Sequence, residues 1–183
     1  MSNKQLLMIA QQSAMTDDLH QRAAKIRLLL SDCDGVLTDA GVYYGEQGEV
    51  LKKFNIRDGM AVERLRQEVD VDFGIVTGEL SPSVRKRAEK LKISELHLGA
   101  KDKMAVLTEI CQRRGLTPDQ IAFIGDDIND LGILGLVGLA CCPADALPQV
   151  RAVAQWVSTL PGGSGCVREL AEWIIAVQIT PNH

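Results

Sequence analysis

The chain has 183 residues, 46% of them hydrophobic and 24% charged, with a formal net charge of −4. That is enough apolar sequence for one globular core without disulfide or metal staples. The acidic balance excludes the basic footprint of a nucleic-acid binder, and no apolar run approaches the roughly 18 residues of a membrane span. Five cysteines with no C-x-x-C pair read as core residues in a reducing, cytoplasmic setting.

Residues 1–25 read as a polar helical extension, with Thr16 or Asp17 as its N-cap, and lack the apolar centre of a signal peptide. Residues 26–183 read as a single domain. Its first predicted strand, Arg27–Ser31, ends in Asp32 and Asp34. "GVYYGEQGEVLKKF" follows, two short β-prone arms around Gly45–Gly48, and reads as an inserted hairpin. Asp58 is a candidate helix cap. The second strand, Asp72–Val76, ends in Thr77 and Gly78, and Ser81-Pro82 opens a helix as cap and first turn.

Glu95–Leu98 is the third strand, followed by a helix opened by Asp102, with Lys103 at its start. Thr117-Pro118-Asp119 is expected to open another helix before the fourth strand, Ile121–Ile124, which runs into Gly125, Asp126, Asp127, Asn129 and Asp130. Gly138–Cys141 is the fifth strand. A last helix sets Val167, Leu170, Ile174 and Val177 on one face at three-and-four spacing. Strands alternating with helices predict an α/β fold, a doubly wound Rossmann-like parallel sheet.

Ligands of such a sheet bind at the carboxyl ends of its strands, and four of these ends deliver acids, a hydroxyl and an ammonium to one edge. Each alone has an ordinary reading: D-x-D-G as a turn, Thr77 as a strand end, Lys103 as a solvated residue, "GDDIND" as a helix start. Together they fit phosphoryl transfer to a carboxylate. Asp32 would attack phosphorus, and Asp34 would protonate the leaving alkoxide and then deprotonate water. Mg²⁺ would relieve the repulsion among the acids and the phosphate, with Asp126 as the third oxygen donor. Thr77 and Lys103 would hold the phosphate oxygens. A phospho-receiver domain shares many of these parts, but it gathers its metal-binding acids at the first strand, ahead of the phospho-acceptor.

"DCDGVLTD", "IVTG", the lysine of "GAKDK" and "GDDIND" resemble the four motifs of the haloacid dehalogenase superfamily. The resemblance implies Asp32 as nucleophile and Asp34 as acid/base. It also implies Mg²⁺ held by Asp32, Asp126 and the Asp34 backbone carbonyl, supported by Asp127, Asn129 and Asp130. The segment from Asp39 to Asp72 is too short for a helical cap domain, so the chain is similar to a cap-less subgroup whose hairpins assemble a homotetramer. "FNIRDG" and "GGSGCVREL" resemble stretches of that subgroup.

What this implies is a phosphatase for a small-molecule phosphorylated 3-deoxy-2-keto sugar acid in bacterial lipopolysaccharide biosynthesis. The eight-carbon 3-deoxy-D-manno-octulosonate 8-phosphate is the first expectation, with Arg57 gripping the sugar carboxylate. The alternative is 2-keto-3-deoxynononic acid 9-phosphate, because "TGELSPSVRKRAEKLKI" resembles the relatives acting on it; there Glu79, Arg87 and Lys90 would meet the sugar, and Gly78 is a further substrate-binding candidate.

Overall fold

A computed structural model describes residues 17–180 of the chain. A first helix, α1 (residues 17–25), leads into β1 (Leu28–Ser31) and then the hairpin β2 (Val42–Gly45) and β3 (Gly48–Lys52). There follow α2 (Ile56–Val69), β4 (Asp72–Thr77), α3 (Pro82–Leu91), β5 (Glu95–Leu98), α4 (Lys103–Arg114) and β6 (Ile121–Ile124). The short α5 (Leu131–Leu134), β7 (Leu139–Cys142), α6 (Pro148–Val153), β8 (Trp156–Val157) and α7 (Cys166–Ile179) complete it.

Six strands form one parallel sheet in the order β5-β4-β1-β6-β7-β8. Side chains of successive strand residues point to opposite faces, and here both faces are covered. Leu29, Phe73, Ile75, Ala122, Ile124 and Leu139 pack under α1, α2, α3 and α7. Leu28, Leu30, Val76, Ile121, Phe123 and Ala140 pack under α4, α5 and α6. Burial on both sides explains why the strands are nearly continuous apolar runs. The chain leaves β1 toward β4 and β5, then returns to β6 on the other side, so the topological switch point lies between β1 and β6.

The hairpin forms a separate two-stranded antiparallel sheet with a register shift at Tyr43 and Tyr44. Val42, Tyr43, Tyr44, Val50 and Leu51 are exposed on it, Tyr44 at 73%. Four of the cysteines are buried, Cys111 is half-buried, and none is in a disulfide. No helix among the described residues is long and apolar enough to cross a membrane.

Some elements differ from the sequence reading. The helix expected at Thr117-Pro118-Asp119 is a single 3-10 turn, Pro118–Gln120, because β6 begins at Ile121 and leaves no length for more. The two-residue β8 is an unexpected sixth strand, too short to show a period. Of the extension over 1–25, residues 17–25 are helical, and Thr16 with everything before it lies outside the described residues.

Asp58 does not cap α2. Asn55 does, accepting from the Arg57 amide at 2.8 Å. Asp58 is buried one turn on, where it accepts from the Arg168 amide at 2.9 Å. It thereby caps α7, whose own N-cap position is Gly165 and offers no side chain. Just before α7, the loop at Gly162 lies on the turn after β1. A Cβ on Gly162 would fall 2.0 Å from the Gly35 carbonyl oxygen, so only glycine allows this approach. The Gly163 amide donates to the Val36 carbonyl at 2.9 Å, and the Asn55 side-chain amide donates to the Gly163 carbonyl at 3.2 Å.

Replacing Asp58 with alanine removes the cap of α7 and should lower unfolding free energy by about 1–2 kcal/mol. Asp58→Asn keeps an acceptor and should lose less. The shift of the urea midpoint at unchanged slope measures both.

Candidate active site

The carboxyl ends of β1, β4 and β6 open into a cleft of about 360 Å³. Asp32 extends β1 by one residue, its amide donating to the Ile124 carbonyl at 2.9 Å, and this ladder bond fixes its place beside β6. It is 5% exposed. Its Oδ1 accepts from the Cys33 amide at 2.7 Å and lies 3.0 Å from Lys103 Nζ.

Lys103 comes from the first turn of α4, started by Asp102, whose carboxylate accepts from the Met104 and Ala105 amides at 3.1 and 3.0 Å. Its Nζ donates to Asp130 Oδ1 at 2.6 Å. Burial opposes the ammonium, but Asp32 and Asp130 outweigh it and hold its pKa above the usual range. Asp130 is fully buried; its other oxygen accepts from the Asp126 and Asp127 amides at 3.0 and 3.4 Å. Lys103 and Asp130 thus form a floor that bonds to Asp32 and shapes the loop carrying Asp126.

Carboxylate oxygens of Asp32, Asp126 and Asp130 lie within 4.8 Å of one another. Without a cation between them, burial and mutual repulsion push Asp32 up to about 6 and Asp126 up to about 7. Asp130 spends its oxygens on Lys103 and two amides, whereas Asp126 Oδ1 is buried with no hydrogen-bond partner among the described residues. An unpaired buried carboxylate oxygen facing a second carboxylate is a donor set that fits a hard divalent cation. The turn after β1 is shaped to it. Gly35 has φ +87°, and a Cβ there would sit 2.0 Å from Asp126 Oδ2.

Thr77 ends β4, buried, its Oγ1 accepting from the Glu79 amide at 3.3 Å and its carbonyl from the Ala100 amide at 2.9 Å. Gly78, Glu79, Asp127 and Asn129 line the cleft with Asp32, Asp34, Thr77 and Asp126. Lys103 and Asp130 lie beneath this lining, and three further candidates from the sequence are away from the cleft within one chain. Arg57 is exposed on α2. Arg87 stacks 5.7 Å above the Phe54 ring and donates to the Asn55 carbonyl at 2.9 Å. With Lys90 it lines a separate groove between α2 and α3, beside Ile56 and Met60.

Sequence reasoning missed Lys52. Its Nζ donates to both oxygens of Asp34, at 2.5 and 2.6 Å. Burial works against its charge, but the Asp34 carboxylate prevails and holds the ammonium above its usual range. A lysine in "VLKKF" carries no local signal, because only the folding back of the hairpin places it against a residue 18 positions earlier.

Taken together, the cleft offers one carboxylate held by an ammonium, a second two residues on, a cation site between two acids, and a buried hydroxyl. That constellation can attack, protonate and neutralise a phosphate ester.

Comparison with known proteins agrees. A family model described as haloacid dehalogenase-like hydrolase matches residues 62–169, more than half of the chain. The 3-deoxy-D-manno-octulosonate 8-phosphate phosphatase KdsC of Yersinia pestis is 41% identical over 164 residues, covering 90% of this chain and 87% of that protein. The Moraxella catarrhalis enzyme of the same name, solved with magnesium, phosphate and a KDO molecule, superposes with a TM-score of 0.84 at 34% identity, covering 88% of this chain and 92% of that one. The cobalt-bound Haemophilus influenzae enzyme gives 0.82 at 32% identity, covering 86% and 91%. The chain belongs to the haloacid dehalogenase-like hydrolase family, as an enzyme of its phosphoric monoester hydrolase branch.

Proposed function

We propose that this protein is a Mg²⁺-dependent phosphatase of 3-deoxy-D-manno-octulosonate 8-phosphate, working through an aspartyl-phosphate. The observation that carries the reading is the pairing of Asp32, bonded to Lys103 at 3.0 Å, with an Asp126 whose buried Oδ1 lacks a partner among the described residues. The relatives with that activity, 41% identical and lower, support the substrate. Family membership sets aside the phospho-receiver alternative.

The hydrogen bonds of the Asp32 carboxylate among the described residues fall on Oδ1, which leaves Oδ2 to attack. The Asp32 Oδ2–phosphorus bond forms as the bond to the sugar oxygen breaks, and Asp34 supplies the proton that the leaving alkoxide takes up. Asp34 then removes a proton from water, whose oxygen bonds phosphorus while the Asp32–phosphorus bond breaks and inorganic phosphate departs. The Thr77 hydroxyl and strand-end amides hold the phosphate oxygens, with Lys103 anchoring the attacking carboxylate. Asp32, Asp126 and the Asp34 backbone carbonyl would hold Mg²⁺, which when bound neutralises carboxylate and phosphate charge. Asp127, Asn129 and Asp130 support that set.

The chain is further read as one phosphatase domain over residues 26–183, acting in the cytoplasm. The exposed apolar side chains of the hairpin support a homotetramer built through it. Arg57, Arg87 and Lys90 lie outside the cleft of their own chain, so a role in holding the sugar acid requires a neighbouring copy to present them. Glu79 in the cleft wall favours a second substrate reading, 2-keto-3-deoxynononic acid 9-phosphate, because a carboxylate can accept from sugar hydroxyls.

Phosphate release from the two sugar acids, measured side by side with Mg²⁺, tests the assignment: turnover of the eight-carbon ester well above the nine-carbon one is expected, and the reverse ratio moves it to the second. Asp32→Asn should lower kcat by about 10⁴-fold or more. Asp34→Asn should lower it by about 10²–10⁴-fold, the usual worth of a general acid/base.

The raised carboxyls predict how cation binding depends on pH. In the cation-free fold Asp32 and Asp126, at about 6 and about 7, favour their protonated forms. Their contribution to stability is therefore full below the unfolded value near 3.8 and is lost as pH rises through 6–7. A divalent cation replaces those protons. The rise in thermal midpoint on adding Mg²⁺ should thus be small at about pH 5.5 and large at about pH 8. Scanning calorimetry with Mg²⁺ and with chelator measures the difference.

A further inference from the structure

The hairpin brings the one cation that lines the cleft among the described residues; the other charged residues there are the carboxylates of Asp32, Asp34, Glu49, Glu79, Asp126 and Asp127. The Lys52 side chain is 3% exposed, so this is not a solvated surface pair of negligible worth. An ammonium on both oxygens of Asp34, at 2.5 and 2.6 Å, fixes where the carboxylate sits and how its plane is turned. Apart from Lys52, the only side chain bonded to it among the described residues is Thr38, whose Oγ1 donates at 3.3 Å.

Lys52 is itself held from behind. Glu49 Oε2 lies 3.6 Å from its Nζ, and Glu49 Oε1 accepts from Ser81 Oγ at 2.5 Å. Ser81 is the N-cap of α3, accepting from the Val84 amide at 3.3 Å. A continuous line of polar contacts, Asp34–Lys52–Glu49–Ser81, therefore runs from the turn after β1, across the hairpin, to the start of the helix after β4. A buried ion pair is weak evidence of stabilisation and is better explained by the geometry it specifies.

We propose that Lys52 is a positioning residue for Asp34: the hairpin reaches over the cleft to hold the acid/base carboxylate in the orientation that proton transfer needs. The inference rests on the functional reading above, in which Asp34 carries the proton. Its scale follows from orientation, since a misplacement of about 1 Å can cost on the order of 10²-fold in rate.

The test is Lys52→Met, which keeps the length and apolar stem and removes the ammonium. On a phosphate ester that the wild type cleaves, kcat should fall about 10- to 100-fold with KM changed by less than about threefold. Lys52→Arg, which can still fork onto a carboxylate, should recover part of the loss. In an Asp34→Asn background, Lys52→Met should add little, because both changes act through the same group. A raised KM with unchanged kcat would mean that Lys52 contacts substrate instead, and overturns the proposal. So does a full additive loss in the Asp34→Asn background, which marks a purely structural role. A crystal structure of Lys52→Met gives a reading independent of activity. Asp34 in more than one rotamer supports the inference, and a single unchanged rotamer sinks it. If the wild type cleaves no ester, the functional reading fails, and that structure alone decides the role of Lys52.

Discussion

Like charges held close together out of water are the constraint around which this molecule is organised. Asp32, Asp126 and Asp130 converge at the switch point of the sheet, with carboxylate oxygens within 4.8 Å, and the nearest compensating charge is the single ammonium of Lys103. One cation cannot satisfy three acids, two of them buried and Asp126 half-buried. Two responses are visible in the structure. Asp130 is consumed by Lys103 and two backbone amides, and Asp126 keeps a buried oxygen with no hydrogen-bond partner among the described residues, facing Asp32 in a donor set that fits a hard cation. The fold supplies the rigidity that keeps such a set from relaxing apart: β1 and β6 are neighbours in the ladder, and apolar layers pack on both faces of the sheet.

What the sequence made legible is what is local. An apolar run ending in D-x-D-G, or in "GDDIND", marks a strand and its carboxyl end in the same few residues, so the sheet and its reactive edge could be read together. Lys103 was legible because Asp102 announces the helix start one residue before it. Long-range placement was not legible. Asp58 looks like the cap of its own helix and caps α7 instead, 110 residues away, because burial of α2 against α7 decides what its carboxylate meets. Lys52 looks like one more lysine in a polar arm, and becomes a partner of Asp34 only when the hairpin folds back. Arg57, Arg87 and Lys90 share the right chemistry with the candidate site, but the helices that carry them turn those groups elsewhere in the single chain.

The hairpin joins two properties that would conflict on an isolated domain. It exposes Tyr43, Tyr44, Val50 and Leu51, Tyr44 also lining the cleft, while the Lys52 side chain at its end is almost fully buried against Asp34. A two-stranded ribbon is marginal by itself. Whatever covers its apolar side also steadies the arm that carries the ammonium, so order in the ribbon and order at the acid/base carboxylate are physically linked.

The close approach of Gly162 to Gly35 has a consequence for truncated forms of the molecule. The turn bearing Asp34 is backed by a loop some 125 residues later, and that loop is fixed by the helix α7 that Asp58 caps. A fragment that stops short of Gly162 leaves the turn bearing Asp34 without the backbone that packs against Gly35 and Val36, so sequence far from the reactive turn shapes it.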